Sequence, residues 1–546
     1  MMIETDLKLP EKKSSNNFLQ IDILKGLMIM LVIIDHAIPT NVRAQWGHSL
    51  WERISIPVFL IIMGFNAANS FKRKDVPLSS FKTFLKYCLH KLKRYLIPFA
   101  LLYIVSLILG LINYGSWESL LQGQFDGHWN RSLLWYFILP FYGPGNWFIP
   151  ILFQSVIIVP FLYWGYKKSP KITLALSILW EIGMQYFIFV YYGHWTAWWP
   201  NVPLGRTMLQ LSVLLYLNAI VIGFWIADHK KICTPTEIPE ELNQEITPDE
   251  IQDKSKDEIQ VTVQTRSQKD NETIKKKLPY HFYIALIAVI LIAVILIGPQ
   301  IPVDGAPRSI GLAILFIFIV VGLYTYRPLL EFLIILLISL VMVVVFSLTI
   351  DFYQNNAFIA EDFLSVEAKT EIFFLNIAIF ILPYIVNAFY TPKNKNWFMW
   401  ILFLMSGTYL IYYQYGFRFF LLTGDYHFFV YPHSAFIVLL FLKMIPKKSN
   451  FILFKGFAYV GKATYHILLT QIFVYGIMLM NFGEHYFQGT VMLNYLDNPS
   501  QYNAGAWIYV LVMWLICIPI GVLWYLIEKL VFRKIAELKK RETLKQ

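Results

Sequence analysis

Stretches of about twenty consecutive apolar residues recur along this chain, and no other feature constrains its fold more. A hydrocarbon core about 30 Å thick is crossed by about 20 residues of α-helix. A segment inside it must satisfy its backbone hydrogen bonds within the protein. The runs are continuous rather than alternating and too long for membrane strands, so they are read as helices. Of the 546 residues, 57% are hydrophobic and 15% charged, with a mean hydropathy of +0.53. That balance excludes an ordinary soluble domain. The three cysteines, Cys88, Cys233 and Cys517, are far apart and form no CxxC or Cys/His spacing. They argue against a disulfide framework and against a zinc site, and no metal is expected.

The net charge of +11 lies next to the apolar runs. Basic connectors alternating with aromatic or acidic ones are the mark of positive-inside topology, so membrane lipids rather than nucleic acid are the expected partner. Lys72 to Arg94, Lys167-Lys168, Lys230-Lys231, Lys393–Lys395, Lys447-Lys448 and Arg533–Lys545 form the basic set. Spans are expected near 21–38, 54–71, 95–113, 147–166, 172–192 and 204–227, and then near 280–299, 309–326, 328–350, 371–390, 397–413, 431–445, 459–481 and 506–527. The fold class is therefore all-α, a polytopic transmembrane bundle of about 12–14 spans with both termini cytoplasmic. Leu78 to Tyr95 mixes phenylalanines with lysines and reads as a separate interfacial helix. Residues 1–20 form a polar tail, 21–227 the first membrane part, 279–530 the second, and 531–546 a basic tail. Between the two parts, 228–278 contains no aromatic residue, is dense in Glu, Asp, Lys, Gln and Thr, and is expected to be a disordered cytoplasmic insert. No cleavable signal peptide is evident, and a multi-pass protein of the plasma membrane is expected.

The first span carries ionisable groups, which are costly in a bilayer and commonly functional. It reads Gln20-Ile21-Asp22-Ile23-Leu24-Lys25-Gly26 and ends Ile34-Asp35-His36. Eleven positions at 100° each bring His36 back to within about 20° of the Lys25 face, about 16 Å further along the axis. Asp22 shares this stripe, and Asp35 points about a quarter-turn away. The arrangement suits a long donor with an anionic head and a reactive end inside the membrane. It is equally the arrangement of a snorkelling lysine and a histidine capping the outer end. Elsewhere, Glu181 in the fifth span and Arg206 near the start of the sixth form either an ion pair or part of an acceptor cleft. His466 is expected to satisfy a neighbouring span.

Ile21 to Gly26 followed by His36 resembles the first span of the acyltransferase family 3 membrane proteins, where a basic residue, usually Arg, precedes a catalytic His. Four other stretches are similar to family elements in the same order: Pro57 to Phe65, Lys93-Arg94-Tyr95-Leu96-Ile97-Pro98, Gly145-Asn146-Trp147-Phe148, and Val460 to Ile467. The likeness covers 20–227 closely and 455–530 loosely. Lys25 departs from the usual Arg, Met63 from a small Ser, and Gln471 from a common His.

The resemblance implies an integral membrane acyltransferase that uses acyl-CoA, by expectation acetyl-CoA, as a co-substrate with no further cofactor. The acceptor would be a hydroxyl, or less often an amine, of a carbohydrate or lipid-linked glycan. It makes His36 the candidate general base, with a covalent acyl-imidazole as the alternative. Lys25, Lys93 and Arg94 become candidates for the CoA phosphates. Asp22, Asp35, Glu181, Arg206 and Trp147 are candidates for acceptor binding or support. The competing reading of the span pattern is a polytopic transporter or glycan flippase, although no paired halves are visible.

Overall fold

A computed structural model of the chain describes residues 18–38, 54–74, 76–116, 145, 148–198, 212–229, 402, 405, 406, 430–482 and 499–545. Among these residues the architecture is helical throughout, with no strand. The helices are α1 (Leu19–Ala37), α2 (Ser55–Lys74), α3 (Phe81–Tyr114), α4 (Phe148–Lys168) and α5 (Pro170–Trp198). A 3₁₀ turn (Val213–Tyr216) leads into α6 (Leu217–Asp228). The chain resumes with α7 (Val430–Met444), α8 (Ile452–Lys462), α9 (Thr464–Phe482) and α10 (Pro499–Lys545). Among the described residues three stretches are long and apolar enough to cross a membrane: Phe81–Ile112, Phe148–Lys168 and Ile508–Leu538. The spans expected at 280–299, 309–326, 328–350 and 371–390, and nearly all of 397–413, lie outside the described residues, as does most of 228–278.

Helix α1 is the hub. It is apolar all round apart from Gln20, Asp22, Lys25, Asp35 and His36, and it packs against α2, α7, α8, α9 and α10. Lipid tails are as apolar as leucine, so helix association here rests on close packing and hydrogen bonds rather than on water exclusion. Two glycine pairs provide that closeness. Gly26 of α1 lies under the backbone of Phe457, and Gly461 of α8 lies against the Asp22 carbonyl, so a methyl group at either position would collide with backbone. Gly64 of α2 and Gly223 of α6 interlock in the same way through Ile220 and Ile61. The first pair joins two elements more than 400 residues apart in sequence.

Side-chain bonds to helix carbonyls fix the positions of the other helices. Gln20 Nε2 donates to Ile445 O (3.1 Å), Tyr475 Oη to Ile33 O (3.2 Å), and Trp514 Nε1 to Met30 O (3.2 Å). They tie α7, α9 and α10 to successive levels of α1. At the ends of α2, α4 and α6, Lys72 Nζ contacts Asp228 Oδ1 (2.6 Å) and donates to Ala227 O (2.9 Å), while Tyr166 Oη donates to Asp228 Oδ2 (2.6 Å).

Three expectations change. The interfacial helix at 78–95 and the span at 95–113 are one continuous 34-residue helix, α3. Ser80 caps its start by accepting from Thr83 N, and Gly115 ends it with φ +74°. Between these caps only Pro98 interrupts the pattern, and a proline costs one backbone hydrogen bond without ending the helix. At about 51 Å, α3 exceeds the hydrocarbon thickness, so its lysine-rich first half continues beyond the apolar layer.

The expected span at 459–481 begins with a corner, and the rest of it is α9. Helix α8 stops at Lys462, and α9 starts at Thr464, whose hydroxyl donates to Gly461 O (2.7 Å). The backbone contact between α8 and α1 demands this bend, which hydropathy alone does not register. Helix α10, finally, runs 47 residues through the expected end of its span, so most of the basic tail is its last turns.

Candidate functional site

The stripe Lys25, Ile29, Val32 follows one face of α1 at helical spacing, and all three side chains line a cavity of about 790 Å³. His36 is the next position on that stripe. The opposite wall comes from α2, α3 and α4, and the floor from the corner between α8 and α9 with the last part of α10. Tyr465 Oη donates to Tyr95 O (2.9 Å) and joins α9 to α3 across this space.

Lys25 of α1 and Lys93 and Arg94 of α3 all border the cavity. Three further cations join them there: Lys91, Lys462 and Lys529. Among the described lining residues Glu528 is the one carboxylate, so the wall carries a strong positive excess. Glu528 is already engaged, since its Oε2 lies 3.0 Å from Nε2 of His466. His466 thus satisfies a neighbouring helix, as expected, and also borders the cavity. Lys25 is also paired: Asp22 Oδ1 sits 2.7 Å from its Nζ, one turn back on α1. Asp22 therefore moderates the charge at Lys25 and does not itself line the space.

At the other end of the stripe, Gln471 Nε2 stands 2.6 Å from His36 Nδ1, and Asp35 Oδ2 lies 3.6 Å from His36 Nε2. Asp35 thus reaches the imidazole despite its offset on the helical wheel. Tyr475 sets its ring edge-on to the imidazole, with centroids 6.3 Å apart. Gly145, in the left-handed region at φ +89°, faces His36 Cε1 and Leu468. A side chain there would be strained by the backbone conformation. The Gly145 to Phe148 motif therefore starts directly against the histidine, and Phe148 lines the cavity. Trp147 and Arg206 lie outside the described residues.

Glu181 is elsewhere. It is 2% exposed on α5, accepts from Asn218 Nδ2 of α6 (2.7 Å), and does not line the cavity. Sequence reasoning missed Lys529 and Glu528 because the last span was ended at 527. It noted Gln471 only as a departure from a pattern. The continuing Leu-Val-Phe run after Lys529 was the available signal that α10 goes on.

A helical membrane protein with a cationic cavity along its first helix and a partly buried histidine further along the same stripe is the class that fold and site define. The chain belongs to acyltransferase family 3: residues 18–339 match the family model described as an acyltransferase domain. It is accordingly a membrane acyltransferase. The match includes α1–α6 but not α8–α10, which complete the cavity. No curated protein and no solved structure gives a significant match.

Proposed function

We propose that the protein moves an acyl group, in the simplest case acetyl, from acyl-CoA to a hydroxyl or amine of a carbohydrate or lipid-linked glycan at the plasma membrane. The observation that carries this reading is the shared stripe. Cations border the cavity with Lys25, and its wall is apolar at Ile29, Val32 and Phe148, in the direction of His36, which lies beyond the lining residues. An anionic head and a long, weakly polar arm ending in a thioester match that gradient. Lys25, Lys93 and Arg94 would hold the phosphates, with Lys91, Lys462 and Lys529 adding to the field.

In the step assigned to His36, the imidazole takes the proton as the acceptor O–H bond breaks. The oxygen forms its bond to the acyl carbon, and the C–S bond then breaks. The departing thiolate takes the proton back, so the ester and free CoA leave with the imidazole restored. Asp35, 3.6 Å from Nε2 of the ring, favours the transient imidazolium.

The test is acyl transfer and thioester hydrolysis by the purified protein, using labelled acetyl-CoA and a panel of hydroxylated and aminated sugars. Turnover that saturates with acetyl-CoA and is lost in His36→Ala is expected. Transport of a glycan without thioester cleavage would overturn the reading.

A further inference from the structure

We propose that Asn66 of α2 reads the adenine ring of the donor's nucleotide head, an inference that rests on the reading of acyl-CoA as the donor. Asn66 lines the cavity and is exposed, although it lies near the middle of α2. On the cavity side of this helix Phe59, Ile62 and Met63 come first, and Asn66 and Ser70 follow at helical spacing. An apolar stripe thus turns polar at Asn66.

Its amide has nothing to do within the protein. Asn69 Nδ2 donates to Phe65 O (2.9 Å), Lys72 Nζ to Ala227 O (2.9 Å), and Arg73 Nε to Asn69 O (3.1 Å). Asn66 has no hydrogen-bond partner among the described residues, not even the carbonyl one turn back that Asn69 uses. A polar side chain on a membrane helix is costly and adds no stability when it bonds to nothing, and such groups are commonly functional.

Phe65 defines the depth. Its ring meets that of Phe18 edge-on, with centroids 5.3 Å apart, at the very start of α1. Phe18 precedes His36 by about 27 Å of helix and lies on the far side of Lys25 from it. Asn66, the residue after Phe65, therefore belongs to the cationic end of the stripe. A donor with its thioester toward His36 and its phosphates among Lys25, Lys93 and Arg94 stretches its arm, and both amides of that arm, between those points. Past the phosphates comes the adenosine.

The side chain suits that group. A carboxamide carries an acceptor and a donor side by side, and it pairs bidentately with adenine by accepting from the N6 amine and donating to N7. The lysines and the arginine of the wall are donors only, so they attract phosphate without telling one base from another. Phe71 and Tyr87, with ring centroids 5.8 Å apart, line the same cavity and offer aromatic surface on which a base can stack.

The experiment uses the full-length parent and Asn66→Leu with two donors: acetyl-CoA, and its analogue with hypoxanthine in place of adenine. In the analogue a carbonyl replaces the N6 amine, so the Asn66 carbonyl loses its partner. Thioester cleavage and transfer are followed at steady state, and binding of CoA and of hypoxanthine-CoA is measured by calorimetry. In the parent the analogue is expected to raise KM by about 10-fold with kcat within about twofold. Asn66→Leu is expected to raise the KM for acetyl-CoA by about 10-fold, to treat the two donors alike within about twofold, and to keep kcat. Its thermal midpoint should equal or exceed the parental one, since no hydrogen bond within the protein is lost.

Equal KM values for the two donors in the parent overturn the inference without any variant, and so does a parental KM for acetyl-CoA in Asn66→Leu. An equal loss for both donors in Asn66→Leu, with the parental preference kept, gives Asn66 a role in cavity shape and also overturns it. All three outcomes leave acyl-CoA standing as the donor. A parent that neither binds CoA nor cleaves acetyl-CoA overturns the donor reading itself, and the role of Asn66 falls with it.

Discussion

Where α1 carries Lys25, it meets α8 backbone to backbone and opens on a wide cavity fringed with lysine and arginine. Where it carries His36, single atoms surround an imidazole: an amide nitrogen at 2.6 Å, a carboxylate oxygen at 3.6 Å and one tyrosine ring set edge-on. The contrast follows from the physics of the two tasks. Attraction of a multiply charged head falls off slowly with distance and tolerates redundancy, so several cations on different helices share it. Proton transfer needs one nitrogen in one protonation state within hydrogen-bond reach, so it allows neither redundancy nor drift. The prediction is that substitutions at the His36 end act on turnover, steeply, and those at the Lys25 end act on donor binding, gradually.

The largest effect is expected for His36→Ala, which removes the proton acceptor. Transfer by the purified protein should fall by about 100-fold or more while expression and membrane insertion stay at parental levels. Activity within about twofold of the parent would erase the contrast.

Next comes the packing that holds the two ends in register. Gly461→Leu inserts a side chain where the Asp22 carbonyl now rests, so α8 must move off α1. A cost of about 1–3 kcal/mol or more is expected, read as a lower thermal midpoint and less monodisperse protein in detergent. A parental melting curve would mean that the glycine contact does not set the helix spacing.

Lys25→Ala should raise the KM for acyl-CoA several-fold and change kcat less, because the residue lies about 16 Å from His36 along the helix. Higher ionic strength should weaken donor binding in the parent and do so less in the variant. An unchanged KM would reduce Lys25 to a topology anchor. Lys25→Arg should keep most of the activity, since a guanidinium still supplies the charge, with different hydrogen-bond geometry.

The smallest shift is expected from Asp22→Asn. It removes the carboxylate 2.7 Å from Lys25 Nζ and leaves more of that charge to the cavity. The KM for acyl-CoA should fall by about twofold with kcat unchanged; a rise would mean that Asp22 is needed to hold Lys25 in place.

Much of this was readable in one dimension, because a bilayer makes local sequence unusually decisive. Apolar length alone locates α1, α2, α4, α5 and α7 to within a few residues where they are described, and helical periodicity alone aligns Lys25 with His36. Those are properties of single segments: a span must be long enough, and its side chains must follow 100° per residue. What lay beyond reach was anything set by two segments at once. The corner at Ala463 exists because α8 must lie across Gly26, and no hydropathy window contains both partners. The unbroken α3 and the long α10 show the converse, helices that outrun their apolar runs because no residue stops them.

The chain by itself thus determined that this is an all-α membrane protein, that its first helix bears the ionisable stripe, and that its motifs are those of an acyltransferase. Only the tertiary structure decided what surrounds the stripe: Asp22 against Lys25, Gln471 against His36, and Lys462 and Lys529 at the cavity wall beside Lys93 and Arg94. The physical reason is range. Periodicity and hydropathy act over a few turns of one helix, whereas a hydrogen bond of 2.6 Å between residues 435 positions apart depends on every close contact that stacks α9 on α1.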